Sequence, residues 1–179
     1  KNHHVQTHLF DGYWEDIGTI KAFFDANLAM ASPNAEFTFA GDKAPIFTRP
    51  RFLPSTRLDD ATVKCSLIAD GCTIGPGSVI ENSVIGVRTQ IGSNVTIRNC
   101  VVMGADYYTQ DRHYSDEVLG IQDGVEIDGA LVDKNVLIPP GTEIGVDLDR
   151  DRRRGFTVTE GGIVVVPVME GTDELFQRE

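Results

Sequence analysis

VKCSLIADGCTIGPGSVIENSVIGVRTQIGSNVTIRNCVV, residues 63–102, decides the fold. Aliphatic residues return every five or six positions at Val63, Ile68, Ile74, Ile80, Ile85, Ile91, Ile97 and Val102. A longer beat runs beneath: Val63, Ile80 and Ile97 stand 17 apart, as do Ile68, Ile85 and Val102, and so do Ile74 and Ile91. The ladder breaks after Val102 and resumes at Ile121, Ile127, Val132, Ile138 and Ile144, where 121 to 138 and 127 to 144 again give 17. Turn residues keep the same time. The third residue after the aliphatic is Gly or Asn at Gly71, Gly77, Asn94, Gly124, Asn135 and Gly141. The next residue tends to be small or β-branched, as at Ser78, Val84, Thr89, Val95, Val125 and Thr142. An internal repeat of this kind outranks local propensity.

The repeat predicts a triangular solenoid. Each unit supplies a short strand, and a Gly or Asn takes the left-handed backbone conformation of a sharp corner. Three strands and three corners close one coil, so residues 17 apart stack at the strand spacing of roughly 4.8 Å. Each stacked aliphatic is worth ~1.5–3 kcal/mol before entropy, and no coil is stable without neighbours. A β-sandwich also has spaced strands, but it does not require aliphatics and turns to share one period. The expectation is a mainly β chain, a left-handed parallel β-helix of four to five coils.

Bulk properties narrow the partners. A chain of 179 residues with 41% hydrophobic residues and net charge −11 is globular and acidic, which argues against nucleic acid and anionic membranes. No apolar run approaches 18 residues and no signal peptide opens the chain. Cys65, Cys72 and Cys100 match no zinc spacing; buried reduced thiols are expected, consistent with a cytoplasmic protein.

The chain opens Lys1-Asn2-His3-His4 without an initiator Met, and Val5 to Phe10 reads as a strand with nothing before it to pair with. The expectation is the carboxy-terminal portion of something longer. His4 and His8 have the i, i+4 spacing of a metal pair, but no Cys or carboxylate flanks them closely. Asp11-Gly12 turns the chain, and Gly18-Thr19 starts a helix with Thr19 as N-cap. Ile20, Phe23, Phe24 and Leu28 are its expected buried face, and Pro33 prevents continuation. Glu15 and Asp16 beside Tyr13 and Trp14 are either an acidic pair near an aromatic pocket or a solvated loop.

Residues 32–57 hold four of the eight prolines and read as an extended linker. Arg49, Arg51 and Arg57 concentrate positive charge there, as solvated charges or as an anion site. Residues 103–120 interrupt the coils with Tyr107, Tyr108, Arg112, His113 and Tyr114. A loop on a β-helix corner is where hexapeptide-repeat acyltransferases keep a catalytic His, so His113 defines one alternative function, and a purely structural module another. A γ-class carbonic anhydrase would need three His across the coils and is excluded. Residues 147–154 read as a solvated mixed-charge loop, and Ile163 to Val168 as a strand that caps the solenoid edge.

Three motifs resemble ADP-glucose pyrophosphorylase (glucose-1-phosphate adenylyltransferase), in that family's order. They are Asp11 to Thr19 with Ile20-Lys21-Ala22-Phe23-Phe24-Asp25-Ala26-Asn27-Leu28, then Ala44 to Pro54, then Val102-Met103-Gly104-Ala105-Asp106-Tyr107-Tyr108. The resemblance covers nearly the whole chain. It implies the end of a nucleotidyltransferase catalytic domain at 1–31, comprising its last strand and helix, a linker at 32–57, and a β-helix domain at 58–179 with an inserted loop at 103–120. It implies a parent enzyme that makes ADP-glucose and pyrophosphate from ATP and glucose 1-phosphate. Asp16 matches a catalytic, Mg²⁺-binding aspartate, a hard oxygen ligand; Trp14 would line the sugar pocket. Arg49 and Arg51 would lie near the cleft for phosphorylated metabolite effectors, with Arg51 matching the family's Pro-Arg arginine. Plant members carry an activator-binding Lys about where Thr159 falls, so the chain looks closer to bacterial relatives. Homo-oligomerisation, as a tetramer, is implied as well.

Overall fold

The computed structural model describes residues 4–37, 39, 46–109, 119–168 and 176. The first coil contains β1 (Arg57–Leu58), β2 (Thr62–Lys64) and β3 (Leu67–Ile68); the second, β4 (Thr73–Ile74), β5 (Val79–Glu81) and β6 (Val84–Ile85). The third contains β7 (Gln90–Ile91), β8 (Thr96–Arg98) and β9 (Val101–Val102), and the fourth β10 (Gly120–Ile121), β11 (Glu126–Asp128) and β12 (Ala130–Val132). The fifth starts with β13 (Leu137–Ile138) and β14 (Glu143–Ile144), then admits α2 (Leu148–Arg154) and β15 (Thr157–Val158) before β16 (Val164–Val166) completes it. Strands in equivalent positions pair in parallel, giving sheets β1-β4-β7-β10-β13, β2-β5-β8-β11-β14 and β3-β6-β9-β12-β16, with β15 antiparallel to β16.

The register is the one the ladder predicts. Val63 sits beside Ile80, Ile80 beside Ile97, Ile97 beside Ile127, and Ile127 beside Ile144. Ile68, Ile85, Val102, Val132 and Val166 form the second row, and Leu58, Ile74, Ile91, Ile121 and Ile138 the third. Ile74, Ile80, Ile97, Ile127, Ile138 and Ile144 have no exposed surface. Corners take positive φ as expected, at Gly77 (72°) and Asn94 (55°) for example. A second corner family was not legible in the +3 rule: Cys65, Asn82, Asn99 and Gly129 turn only two residues after the aliphatic, with φ of 45–64°. Asn82 Nδ2 donates to Asn99 Oδ1, and Asn99 Nδ2 to Asp128 Oδ1, both at 2.8 Å. These amides join three coils along one edge.

Four expectations need correction. Residues 5–10 form no strand and are exposed, because among the described residues no strand runs beside them to share a hydrogen-bond ladder. Cys65 is exposed, since its corner turns the side chain outward, whereas Cys72 and Cys100 are buried; burial pushes the Cys100 thiol up to about 12. Ile20 is exposed, and only Phe24 among the four apolar positions proposed for its helix is fully buried. The charge run at 147–154 is the helix α2, not a loop. Asp147 caps it by accepting from the Asp149 and Arg150 amides at 3.0 Å, and Gly155 closes it in the left-handed conformation.

This helix closes the end of the solenoid. Leu148, Phe156 and Phe176 pack on the core, while Asp151, 1% exposed, accepts from the Gly145 amide at 2.7 Å through Oδ2. Arg150 Nη2 donates to Glu143 Oε2 at 2.6 Å and Arg154 Nη1 to the Glu143 carbonyl at 2.9 Å. Burial pushes the Asp151 carboxyl above its ordinary range despite the Gly145 hydrogen bond and the two arginines. The folded state therefore holds this proton more tightly than the unfolded chain. Its contribution is present below the unfolded pKa and is lost as pH rises through the folded one. Relative to Asp151→Asn, the wild-type urea midpoint is expected to fall as pH rises from about 4 to 7. Parallel pH profiles would place the charge elsewhere than Asp151.

Candidate functional site

The helix α1 (Ile20–Ala31) starts where the N-cap chemistry predicts: Thr19 Oγ1 accepts from the Ala22 amide at 3.1 Å. It stops at Ser32, one residue before Pro33. Lys21 and Asp25 pair one turn apart on its outer side. Its inner side lies on the outer face of the sheet containing β6, β9 and β12, where Phe24 packs with Val101 and Ile163, flanked by Phe23, Leu28 and Leu131. That face is aliphatic where a solvated sheet face would be polar (Val84, Val101, Leu131 and Val165).

The segment leading into α1 carries the expected site residues. Asp16 is exposed, and its Oδ1 accepts from the Gly18 amide at 2.9 Å. Trp14 is 73% exposed. Tyr13 stacks on Phe37 at 6.5 Å, and Phe37 meets Phe39 edge-on at 5.3 Å. An open groove of about 400 Å³ runs between Tyr13, Glu15, Ser32, Asn34, Glu36 and Phe37. Glu15 and the aromatics Tyr13 and Phe37 thus share one groove, but neither Trp14 nor Asp16 lines it. No cluster of three His, Cys, Asp or Glu able to hold a metal exists among the described residues. Asp16 offers one carboxylate, and no such cluster forms around it among the described residues.

The linker arginines are a second neighbourhood. Arg49 and Arg51 are exposed, and Arg51 Nη1 donates to the Arg49 carbonyl at 3.5 Å. Neither forms an ion pair among the described residues. Past them the linker is tied to the corner at Gly71, which ends the first coil. Gly71 N donates to the Pro54 carbonyl at 2.9 Å, Thr56 Oγ1 donates to the Ala69 carbonyl at 2.5 Å, and Cys72 N donates to Thr56 Oγ1 at 3.2 Å.

The root of the insertion is the third. Tyr108 Oη donates to the Gly71 carbonyl at 3.0 Å, and the Arg88 guanidinium lies 5.8 Å from the Tyr108 ring centre. Arg88 itself turns a corner at φ 60° and donates to the Ala105 carbonyl at 3.3 Å. Lys134 and Asn135 hydrogen-bond the Asp106 carboxylate, at 3.0 and 3.1 Å, and hold it below its usual range. A cavity of about 20 Å³ beside Tyr108, Leu119 and Asn135 has room for one water and no substrate. His113, Arg112 and Tyr114 lie outside the described residues, as does His3. Gly71 was read as a corner, but Arg88 and the contact of Tyr108 with Gly71 escaped the sequence reading; Gly-Ala-Asp-Tyr-Tyr at the break in the ladder was the available signal.

Stacked aliphatics, three parallel sheets and corners on a 17-residue beat define a parallel β-helix, and the comparison with known families fixes its hand. A family model described as the GLGC left-handed parallel beta-helix domain matches residues 51–171, about two thirds of the chain. The chain belongs to that family, the carboxy-terminal portion of ADP-glucose pyrophosphorylase, and so to the glucose-1-phosphate adenylyltransferases. The match begins at Arg51, within the stretch expected from sequence to be a linker.

If α1 is held on the solenoid by its apolar side, Phe24→Ala is expected to loosen it by ~3–5 kcal/mol. Amide exchange in residues 20–31 should then accelerate while the buried amides of β8 and β11 keep their protection. Equal acceleration in both would mean that helix and coils unfold as one unit.

Proposed function

We propose that this chain is the regulatory and oligomerisation portion of a glucose-1-phosphate adenylyltransferase, which makes ADP-glucose and pyrophosphate from ATP and glucose 1-phosphate for α-glucan storage. The observation that carries the reading is the family match over 51–171, together with α1 seated on the solenoid. That seat joins the Trp14–Asp16 segment to the coils through a single helix. In the intact enzyme, Asp16 offers one hard oxygen to Mg²⁺, which offsets charge on the reacting phosphates when bound. Trp14, exposed here, turns an apolar surface toward the sugar. Residues 1–31 then end the catalytic domain, 32–57 form the linker, and 58–179 the β-helix domain.

Arg49 and Arg51 are free to meet a phosphorylated effector as charge-assisted donors. The enzyme works as a homotetramer in the cytoplasm; among the described residues no helix is long and apolar enough to cross a membrane. A hexapeptide-repeat acyltransferase using His113 would bind acetyl-CoA between coils, and the family match favours no such ligand.

The 179-residue chain is expected to release no pyrophosphate from ATP and glucose 1-phosphate, and to self-associate in light scattering at ~100 μM, a concentration that favours weak contacts. Turnover by the chain alone would overturn the regulatory reading. A strictly monomeric chain would remove its oligomerisation half.

A further inference from the structure

The phenol of Tyr108 crosses coils. It belongs to the residues that follow the third coil, yet its hydroxyl reaches the first, donating to the Gly71 carbonyl at 3.0 Å. It passes the second coil on the way, where the Arg88 guanidinium lies over its ring at 5.8 Å. Gly71 also carries the linker. Gly71 N donates to the Pro54 carbonyl, and a side-chain carbon placed on Gly71 would meet both Tyr108 Oη, at 2.5 Å, and Leu53 Cβ, at 3.4 Å. Gly71 also turns the corner at φ 77°. A side chain there would displace the tyrosine and strain the backbone together.

Leu53 and Pro54 are therefore held in a notch at Gly71, the residue whose carbonyl the Tyr108 hydroxyl holds. Leu53 stands two residues from Arg51 and four from Arg49. Upstream of Leu53, Phe47 and Phe52 are 91% and 93% exposed, so the linker has little packing of its own there. The root of Tyr108 is itself fixed: Ala105 N donates to the Val87 carbonyl at 2.8 Å, and Asp106 is hydrogen-bonded by Lys134 and Asn135 of the fourth coil. One tyrosine thus connects an anchor on coils two and four to the segment that presents both arginines.

We propose that Tyr108 is a positioning residue for the linker, fixing where Arg49 and Arg51 stand by locking Leu53 and Pro54 against Gly71. Their affinity for a phosphate group then depends on a phenol that acts through the backbone of the linker. The proposal rests on the reading of Arg49 and Arg51 as anion contacts made above. Preorganisation is the physical link: an arginine pair already held in place loses less freedom when it captures an anion.

The test uses inorganic phosphate as the probe, followed by the side-chain Nε–Hε signals of Arg49 and Arg51, with exchange of the Gly71 and Cys72 amides, which donate to the linker at Pro54 and Thr56, read in the same samples. Arg51→Ala should abolish the response. Tyr108→Phe keeps the ring on Arg88 and removes only the hydroxyl. It is expected to weaken phosphate binding about threefold to tenfold, the range a single hydrogen bond spans. Exchange of these two amides should quicken by a similar factor while the thermal midpoint of the coils stays put. Tyr108→Leu, which removes the ring as well, should do at least as much. If phosphate binds and Arg51→Ala abolishes it while Tyr108→Phe leaves affinity and the exchange of these amides at wild-type values, the positioning role is overturned. If phosphate fails to bind the wild-type chain, the anion reading fails instead, and the positioning role as proposed falls with it. Faster exchange of the Gly71 and Cys72 amides in Tyr108→Phe would then keep only the mechanical tether.

Discussion

Ile80, Ile97 and Ile127 lie side by side in three successive coils, each without exposed surface, and this stacking constrains everything else. A coil of two- and three-residue strands has no hydrogen bonds of its own to speak of; its backbone groups are satisfied by the coils next to it, as when Thr73 N reaches the Thr89 carbonyl and Thr96 N the Val125 carbonyl. Register and burial are therefore the same fact. A slip of one residue would turn every isoleucine outward at once. Extra chain can leave only at a corner, provided that it returns in register. It does so twice. Between β9 and β10 the chain departs and Gly120 resumes the row, and between β14 and β16 it departs again through α2.

Polar groups follow the same stacking logic. Ser78 Oγ, buried, donates to the Gly92 carbonyl and accepts from the Val95 amide, so a hydroxyl at a repeat position joins two coils. Ser83 Oγ does likewise with the Glu81 carbonyl and the Cys100 amide. Along the outside, Lys64, Glu81, Arg98 and Glu126 alternate in sign from coil to coil. These exposed pairs add little stability. They do favour one register, because a shift of one coil against the next would separate each cation from its carboxylate.

The coils were legible in the sequence because their cause is periodic. Val63, Ile80 and Ile97 announce a 17-residue beat, and corner glycines share it. What could not be read was aperiodic or non-local. Asp147 to Arg154 looks like solvated charge, and only its tertiary setting, with Asp151 under the Gly145 amide, makes it a buried-faced helix. Val5 to Phe10 alternates as a strand would, but alternation does not supply a partner ladder. Trp14 and Asp16 were recognised by resemblance, and their exposed positions neither pack nor pair in a way that composition could reveal. The reach of Tyr108 to Gly71 spans 37 residues, a contact that no local pattern encodes.

A stack of this kind also restricts how one surface of the chain can influence another. Closely packed isoleucine rows have no second arrangement nearby, since any displacement opens voids or breaks the ladder. A signal that starts at the linker arginines would therefore not pass through the core. It would pass along the surface, through pieces laid on the coils: the linker in its notch at Gly71 and α1 on the aliphatic sheet face. α1 rests over Val101 of the third coil, the linker at Gly71 of the first, and the Tyr108 tether runs between them beside Arg88 of the second. Each is held by a few contacts that can release singly, such as Phe24 for the helix and one hydroxyl for the linker. On the proposed reading, the solenoid is the fixed frame, and regulation resides in how firmly these two pieces are held against it.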